Sequence, residues 1–172
     1  GAVMSGPFSQ SSFCFNPSVQ RREHDPLKAS ALLDNAGVLD LDGDGVREYD
    51  GEPVRLRFLA DRGLSGADQL AVADIAQSLG RIGIGVELDY QDPPVYHERV
   101  FYEHDFDLTF TSWPISTEFF DLFSLSGTDP GGSNIAQYVN DEINGLLQDF
   151  HTTEDSSERV DICRRIHECL NE

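Results

Sequence analysis

The sequence predicts an α/β protein with a mainly parallel βαβαβ sheet in three layers, followed by two C-terminal helices. Three short stretches alternate apolar and polar residues, as half-buried strands do, and they are centred on residues 54–58, 86–90 and 106–110. Segments of helical periodicity separate these stretches. Right-handed crossovers fold such an order into a parallel sheet with helices packed on it, and 172 residues suffice for one hydrophobic core.

The first helix is marked by its ends. Asp25 precedes Pro26 and suits the N-cap, while Pro26 suits the first helical position, where its missing N–H costs nothing. Gly37 suits the left-handed residue that ends a helix. The first strand follows over Val54–Phe58, with Arg55 and Arg57 expected on its polar face.

The remaining elements follow from periodicity and breakers. A second helix is predicted over 67–82, a second strand over 86–90, and a short helix over 95–102 after Pro93-Pro94. The third strand is predicted over 106–110. One C-terminal helix carries Ile143 to Phe150 on its apolar face, and the other begins at about Glu154.

Charge narrows the classes of function. Asp and Glu number 31 against 12 Lys and Arg, which gives a formal net charge of -19. Such a surface repels phosphate backbones and anionic headgroups, so we expect no nucleic-acid partner. The sequence contains no apolar run of the length that crosses a bilayer, and we expect no membrane insertion by this segment.

An acidic loop over residues 40–52 partly matches a calcium-binding loop. Alternate carboxylates on a tightly turning backbone converge on one hard cation, and the candidate ligands are Asp40, Asp42, Asp44 and Glu48. Position 12, which needs a bidentate Glu, is Gly51, so Asp50 or Glu52 would have to substitute. The alternative is a plain turn, in which Asp and Gly are favoured by local hydrogen bonds and permissive backbone angles.

The cysteine spacing and the lack of catalytic motifs argue against a cysteine metal site and against an enzyme. Three cysteines leave at least one unpaired, and the six-residue spacing of Cys163 and Cys169 on one helix disfavours a bridge between them. We interpret the cysteines as small buried side chains rather than metal ligands. No nucleophile elbow or phosphate-binding loop occurs, so the sequence predicts no enzyme and requires no cofactor.

Ligands of parallel α/β sheets bind outside the carboxyl ends of the strands. The residues that follow the third strand, namely Thr111, Ser112 and Trp113, are therefore candidate binding residues. Gly131-Gly132-Ser133 allows the backbone to approach a ligand closely, which adds Asn134 to the candidates.

The order of short segments resembles the family 5 extracellular solute-binding proteins of ABC importers, the oligopeptide- and dipeptide-binding group. The segments that carry this resemblance are Gly6-Pro7-Phe8, Asn16-Pro17, residues 25–33, Ala36-Gly37, residues 42–48, residues 76–84, residues 105–108, Ser112-Trp113 and residues 138–147. Each match is short, and the specificity lies in their order along nearly the whole chain.

The resemblance implies a type II periplasmic-binding-protein fold, of which this chain is one lobe. Residues 1–24 would be an extended segment leading from the missing lobe, and residues 25–172 the solute-binding lobe. It implies capture of a peptide or other small solute outside the cytoplasmic membrane, in the periplasm or extracellular space, for ABC permease subunits. A calcium-stabilised structural or interaction module is the alternative function.

The resemblance also assigns roles to individual residues. Trp113 matches the aromatic residue at the edge of the cleft. Peptide-binding members carry an aspartate three residues later, which pairs with the α-amino group of the peptide, and Ser116 occupies that position here. A hydroxyl cannot supply the charge-assisted hydrogen bond of a carboxylate. Glu118 and Asp121 are the candidate replacements.

Overall fold

The computed structural model describes residues 5–112, 120 and 122–171. The chain divides into two compact units, each described here by itself. The sheet unit comprises His24–Trp113, and the helical unit comprises Gly1–Glu23 together with Pro114–Glu172. Within the described ranges, no helix has the length and apolar character needed to cross a bilayer.

The sheet unit begins with helix α1 (Pro26–Asn35), whose two ends form as predicted. The Asp25 carboxylate accepts a hydrogen bond from the Lys28 N–H at 2.9 Å, which satisfies one of the free N–H groups of the first turn. Beyond the helix, Gly37 has a φ of 78°, and the Val38 N–H donates to the Leu33 carbonyl. These contacts end the helix in a left-handed turn.

A short hairpin follows, formed by β1 (Glu48–Tyr49) and β2 (Glu52–Pro53) in antiparallel register. Asp50 and Gly51 connect the strands with φ values of 52° and 83°. Two successive residues with positive φ are typical of the two-residue turn that suits the twist of a hairpin. The sequence analysis treated these residues as the end of one acidic loop and did not predict the hairpin.

The main sheet has the strand order β4–β3–β5 and is wholly parallel. Its strands are β3 (Arg55–Asp61), β4 (Gly85–Gln91) and β5 (Leu108–Thr109). Helix α2 (Gly66–Gly80) connects β3 to β4. Helix α3 (Pro93–Glu98) and a π-helical turn (Arg99–Glu103) connect β4 to β5. The predicted βαβαβ order is therefore confirmed, with β5 shorter than the predicted strand.

The central strand departs from the predicted alternation of buried and exposed residues. Phe58, Leu59 and Ala60 are all buried in succession, as expected for a strand covered on both faces. Arg57, expected in solvent, is half-buried because the Asp105 carboxylate pairs with its guanidinium. The core of this unit consists of Phe58, Ala60 and Val72, with Leu64, Val86, Tyr90, Leu108 and Phe110 packed against them.

The helical unit contains the two predicted C-terminal helices, α4 (Asp141–Thr152) and α5 (Ser156–Cys169). A 3₁₀ turn (Leu125–Thr128) precedes them. The core collects the apolar faces of both helices and part of the N-terminal segment, and its buried members are Phe8, Cys14, Phe120, Ile143, Leu147, Phe150, Cys163, Ile166 and Cys169. Phe150 and Phe120 meet edge to face, with ring centroids 4.7 Å apart.

A disulfide joins Cys14 to Cys163, with Cα atoms 4.8 Å apart and a sequence separation of 149. Cys169 is buried and is not part of a disulfide. The expectation that at least one cysteine stands outside a disulfide is met, but the interpretation of Cys14 and Cys163 as simple buried side chains is wrong. No local pattern indicates a bond between residues so far apart in sequence.

Candidate functional site

The carboxyl ends of β3, β4 and β5 meet at one edge of the sheet because all three strands run parallel. Two of the predicted binding residues follow β5 at this edge. Thr111 is half-buried and Ser112 is exposed. Their hydroxyl groups are therefore placed where α/β sheets bind ligands. Trp113, Ser116, Glu118 and Asp121 lie outside the described residues.

The edge also carries charged residues that the sequence analysis did not single out. Arg62 follows β3 and pairs with Asp92, which follows β4, at 2.8 Å. The same guanidinium donates to the Tyr90 carbonyl at 2.8 Å. Asp61 accepts a hydrogen bond from the Gly63 N–H, which closes the turn after β3. The signal that could have found these residues is their position, since they are the first charged side chains after two parallel strands.

The buried side chain of Tyr96 supports this edge of the sheet through hydrogen bonds. The Tyr96 hydroxyl on α3 lies 3.0 Å from both Thr109 Oγ1 and the Phe110 carbonyl. Thr109 in turn donates to the Leu59 carbonyl at 3.0 Å. Since Tyr96 is only 7% exposed, these hydrogen bonds hold α3, β5 and β3 together immediately beneath Thr111. These hydrogen bonds restrain the edge at which Thr111 lies.

An ion-pair network joins β4 to the connection between β4 and β5. Arg99 lies between Asp89 and Asp105, with N···O distances of 2.7 Å and 2.9 Å. Hydrogen bonds from Gln91 and then from Arg99 hold the pKa of Asp89 below its ordinary value. Hydrogen bonds from Arg57, and to a lesser extent from Arg99, lower the pKa of Asp105. The guanidinium of Arg99, whose side chain is 16% exposed, thereby links β4 to the segment that leads into β5.

Asn134 belongs to the helical unit and has no exposed surface. Its side-chain amide donates to the carbonyls of Ser124 and Tyr138 at 3.0 Å and 2.7 Å, and its side-chain oxygen accepts from the Tyr138 N–H at 3.1 Å. Backbone groups of the loop thus form hydrogen bonds with both the nitrogen and the oxygen of the side-chain amide. This placement makes Asn134 an internal brace of the loop over residues 124–138, and its predicted contact with a solute stays a prediction.

The acidic loop brings its four predicted ligands together. One carboxylate oxygen from each member of this group lies within 4.8 Å of those of the others, and the members are Asp40, Asp42, Asp44 and Glu48. Asp40 accepts hydrogen bonds from the N–H groups of Gly43 and Gly45, at 2.7 Å and 3.0 Å. Glu48 is 9% exposed and accepts from the Leu41 N–H at 2.7 Å. Neither Asp50 nor Glu52, the expected substitutes at position 12, belongs to the group found among the described residues.

A family model described as bacterial extracellular solute-binding proteins, family 5 (middle region) matches residues 1–134. The chain belongs to this family. The resemblance noted in the sequence is therefore confirmed, and family 5 proteins are by description extracellular proteins that bind solutes.

Similar proteins extend this result. The oligopeptide-binding protein AppA of Bacillus subtilis is 27% identical over 148 residues, which are 80% of this chain and 25% of AppA. A structure of AppA with a bound nonapeptide superposes with a TM-score of 0.87 at 26% identity, over 99% of this chain and 34% of AppA. A periplasmic oligopeptide-binding protein of an ABC transporter from Thermotoga maritima, bound to mannohexaose, gives a TM-score of 0.78 at 26% identity, over 87% of this chain and 29% of that protein.

These matches confirm the predicted fold class, the α/β lobe of a type II periplasmic binding protein. They also show that the chain spans only a quarter to a third of the length of these relatives.

Proposed function

We propose that this chain is one lobe of the substrate-binding component of an ABC importer, and that it captures a peptide or other small solute for the permease subunits. The observation that carries the proposal is the match of 99% of the chain to a third of AppA, a protein solved with a bound nonapeptide. In a two-lobed binder, a ligand that contacts both lobes only when they are closed shifts the equilibrium towards closure. Residues 25–172 would supply one side of that cleft, and residues 1–24 would lead from the other lobe.

The edge of the sheet supports this role. Thr111 and Ser112 carry two hydroxyl groups that follow β5, and the Arg62–Asp92 pair follows β3 and β4 at the same edge of the sheet. Hydroxyl and charged groups on a fixed frame suit the peptide bonds and termini of a peptide. Trp113 would supply an apolar wall. The Cys14–Cys163 disulfide agrees with a location outside the cytoplasm, because disulfides persist in oxidising compartments.

The test uses the full-length protein and a panel of peptides, with affinity measured by calorimetry. Trp113→Ala is expected to weaken every peptide at least tenfold, about 1.4 kcal/mol. Ser157→Ala on the exposed first turn of α5 is the control and should leave affinity unchanged. Peptide binding that Trp113→Ala leaves intact would contradict the assignment of the cleft, and the absence of any peptide or small-solute ligand would contradict the function.

A second measurement addresses Ser116. Acetylation removes the positive charge of a peptide N-terminus, so it weakens binding only where a carboxylate of the protein faces that charge. We expect a large loss on acetylation, removed by Glu118→Gln or Asp121→Asn. Equal affinities for free and acetylated peptides would show that this protein, with Ser116, has no carboxylate in that role.

Calcium binding by the acidic loop is a second candidate, favoured by the convergence of four carboxylates within 4.8 Å. The absence of a bidentate Glu at Gly51 predicts a weak site, with a dissociation constant of about 0.1–1 mM. Millimolar calcium should raise the melting temperature of the chain. Asp44→Asn should abolish that rise, whereas Asp50→Asn, outside the group, should preserve it. No calcium-dependent rise, or an equal rise in both variants, would exclude the site.

A further inference from the structure

The N-terminal part of the helical unit forms a cavity of about 310 Å³ that is open to solvent. Its lining comes entirely from the segment over residues 5–21, and includes Ser5, Gln10, Phe15, Val19, Gln20 and Arg21. None of these residues is among the candidate solute-binding residues of the proposed cleft. The volume lies at the lower end of the range for small-molecule sites in proteins.

The segment that forms the cavity is fixed on α5 at several points. The disulfide attaches Cys14 to Cys163. Asn16 donates its backbone N–H to His167 Nδ1 at 2.9 Å and its side-chain amide to Glu168 Oε1 at 2.7 Å. Near the end of the segment, the Asn171 side chain donates to the Gln20 carbonyl at 3.2 Å. A cavity whose walls are anchored by covalent and polar contacts is preformed, which lowers the entropic cost of binding.

Ser5 gives the cavity an unsatisfied polar group. The residue is 4% exposed, and its hydroxyl has no hydrogen-bond partner among the described residues. A buried hydroxyl without a partner is costly, and such groups in native proteins usually contact a ligand or an ordered water. Ser5 lines the cavity, so a bound molecule can supply the missing partner.

The lining has an unusual charge for this protein. In a chain of net charge -19, no carboxylate side chain is found among the described residues that line the cavity, whereas one guanidinium, two amides and one hydroxyl are. Arg21 supplies the positive charge, and Gln10 and Gln20 supply N–H donors. Phe15 and Val19 add an apolar wall. A guanidinium is a common partner of a carboxylate.

From this arrangement we propose that the cavity binds a small carboxylate that carries an apolar group. The carboxylate pairs with Arg21 and accepts from the Ser5 hydroxyl, and the apolar group lies against Phe15 and Val19. This site goes beyond the proposed capture of a solute for transport, since it would be present in the 172-residue chain alone.

The probe is benzoate, with benzamide as its neutral counterpart of the same shape. Binding to the 172-residue chain is followed by NMR titration at low ionic strength. Benzoate is expected to bind saturably in the millimolar range, and benzamide at least fivefold more weakly. Arg21→Gln should weaken benzoate at least fivefold, while Lys28→Gln, an equal change of charge on exposed α1, should leave it unchanged.

Ser5→Ala provides a second, uncharged variant, and should weaken benzoate without altering the preference for benzoate over benzamide. Absence of saturable benzoate binding would overturn the proposal. Equal affinities for benzoate and benzamide, or equal losses in Arg21→Gln and Lys28→Gln, would overturn it as well, since the attraction would then be the same anywhere on the protein. Melting temperatures of the variants establish that each is folded in these titrations.

Discussion

Asn16 donates its backbone N–H to Nδ1 of His167 at 2.9 Å, across 151 residues of sequence. This bond requires Nδ1 to be unprotonated, so the proton of the neutral ring lies on Nε2. The ring has no exposed surface and meets Phe8 edge to face, with centroids 5.3 Å apart. Burial lowers the pKa of His167 below its ordinary value of 6.5.

The buried His167 predicts a specific dependence of stability on pH. Because the folded-state pKa lies below the unfolded value of 6.5, the unfolded chain binds the proton more readily. The stabilisation is therefore complete above about pH 6.5 and is lost as the pH falls towards the folded-state pKa. Urea unfolding between about pH 7 and pH 5 should show a falling free energy.

The variant His167→Asn keeps an acceptor for the Asn16 N–H but does not titrate, so its free energy of unfolding should change less over this pH range. His151→Asn, on the exposed side of α4, should keep the wild-type slope. A wild-type slope in His167→Asn would show that another group is responsible.

Removal of the disulfide should destabilise the helical unit. A bond that closes a loop of 149 residues restricts the unfolded chain strongly, and its loss costs about 2–5 kcal/mol. We expect the variant with Cys14→Ser and Cys163→Ser to melt at a lower temperature than the wild type. Dithiothreitol should lower the melting temperature of the wild type and leave that of the double variant unchanged. Alkylation of Cys14 in denatured, unreduced protein would contradict the pairing.

Arg99 and Arg62 offer a matched pair of ion-pair deletions. Arg99 is 16% exposed and holds two aspartates, whereas the pair of Arg62 and Asp92 is about two-thirds exposed. Arg99→Gln removes the ion-pair partner of Asp89 and should cost about 1–3 kcal/mol. Arg62→Gln should cost less than about 1 kcal/mol, because solvent screens an exposed pair. Equal losses in chemical denaturation would show that burial does not govern these pairs.

Two glycines should respond in opposite directions to alanine. A Cβ at Gly132 would overlap the Gly127 carbonyl oxygen and come within 2.8 Å of the Asp129 oxygen. Gly132→Ala should therefore cost about 1–3 kcal/mol. Gly145 lies within α4 with open space beside it, and Gly145→Ala should stabilise the protein by about 0.5–1 kcal/mol. Thermal unfolding of both variants tests this, and destabilisation by Gly145→Ala would contradict the open environment.

Local signals predicted most of the elements. The ends of α1 follow from Asp25, Pro26 and Gly37, and the strands β3 and β4 follow from the alternation of apolar residues. Asp50-Gly51 is a strong signal for a hairpin turn. The hairpin was nevertheless missed, because residues 40–52 were interpreted together as one acidic loop. β5 is short because only Leu108 and Thr109 pair with the central strand.

Less of the candidate site than of the fold could be predicted from the sequence. The rule that ligands bind beyond the carboxyl ends of parallel strands selected Thr111 and Ser112, and the spacing of carboxylates selected Asp40 to Glu48 as a group. Arg62 and Asp92 could have been selected by their positions after two parallel strands, but their ion pair is a contact between distant segments. No local pattern in the sequence indicates the cavity. The same holds for the environment of Asn134, where three hydrogen bonds to the backbone decide its burial.

The Cys14–Cys163 bond has a consequence for the order of folding as the polypeptide is made. All residues of the sheet unit have been synthesised by Trp113, so this unit is complete before α4 and α5 exist. The N-terminal segment, although it is made earlier, has to wait for α5 before it finds its partners. We therefore expect the part of the chain that is made in the middle to fold first, and the two flanking parts to join each other last. During this interval none of the other cysteines of these 172 residues has been made, so an oxidant acting too early would join Cys14 only to a thiol from elsewhere.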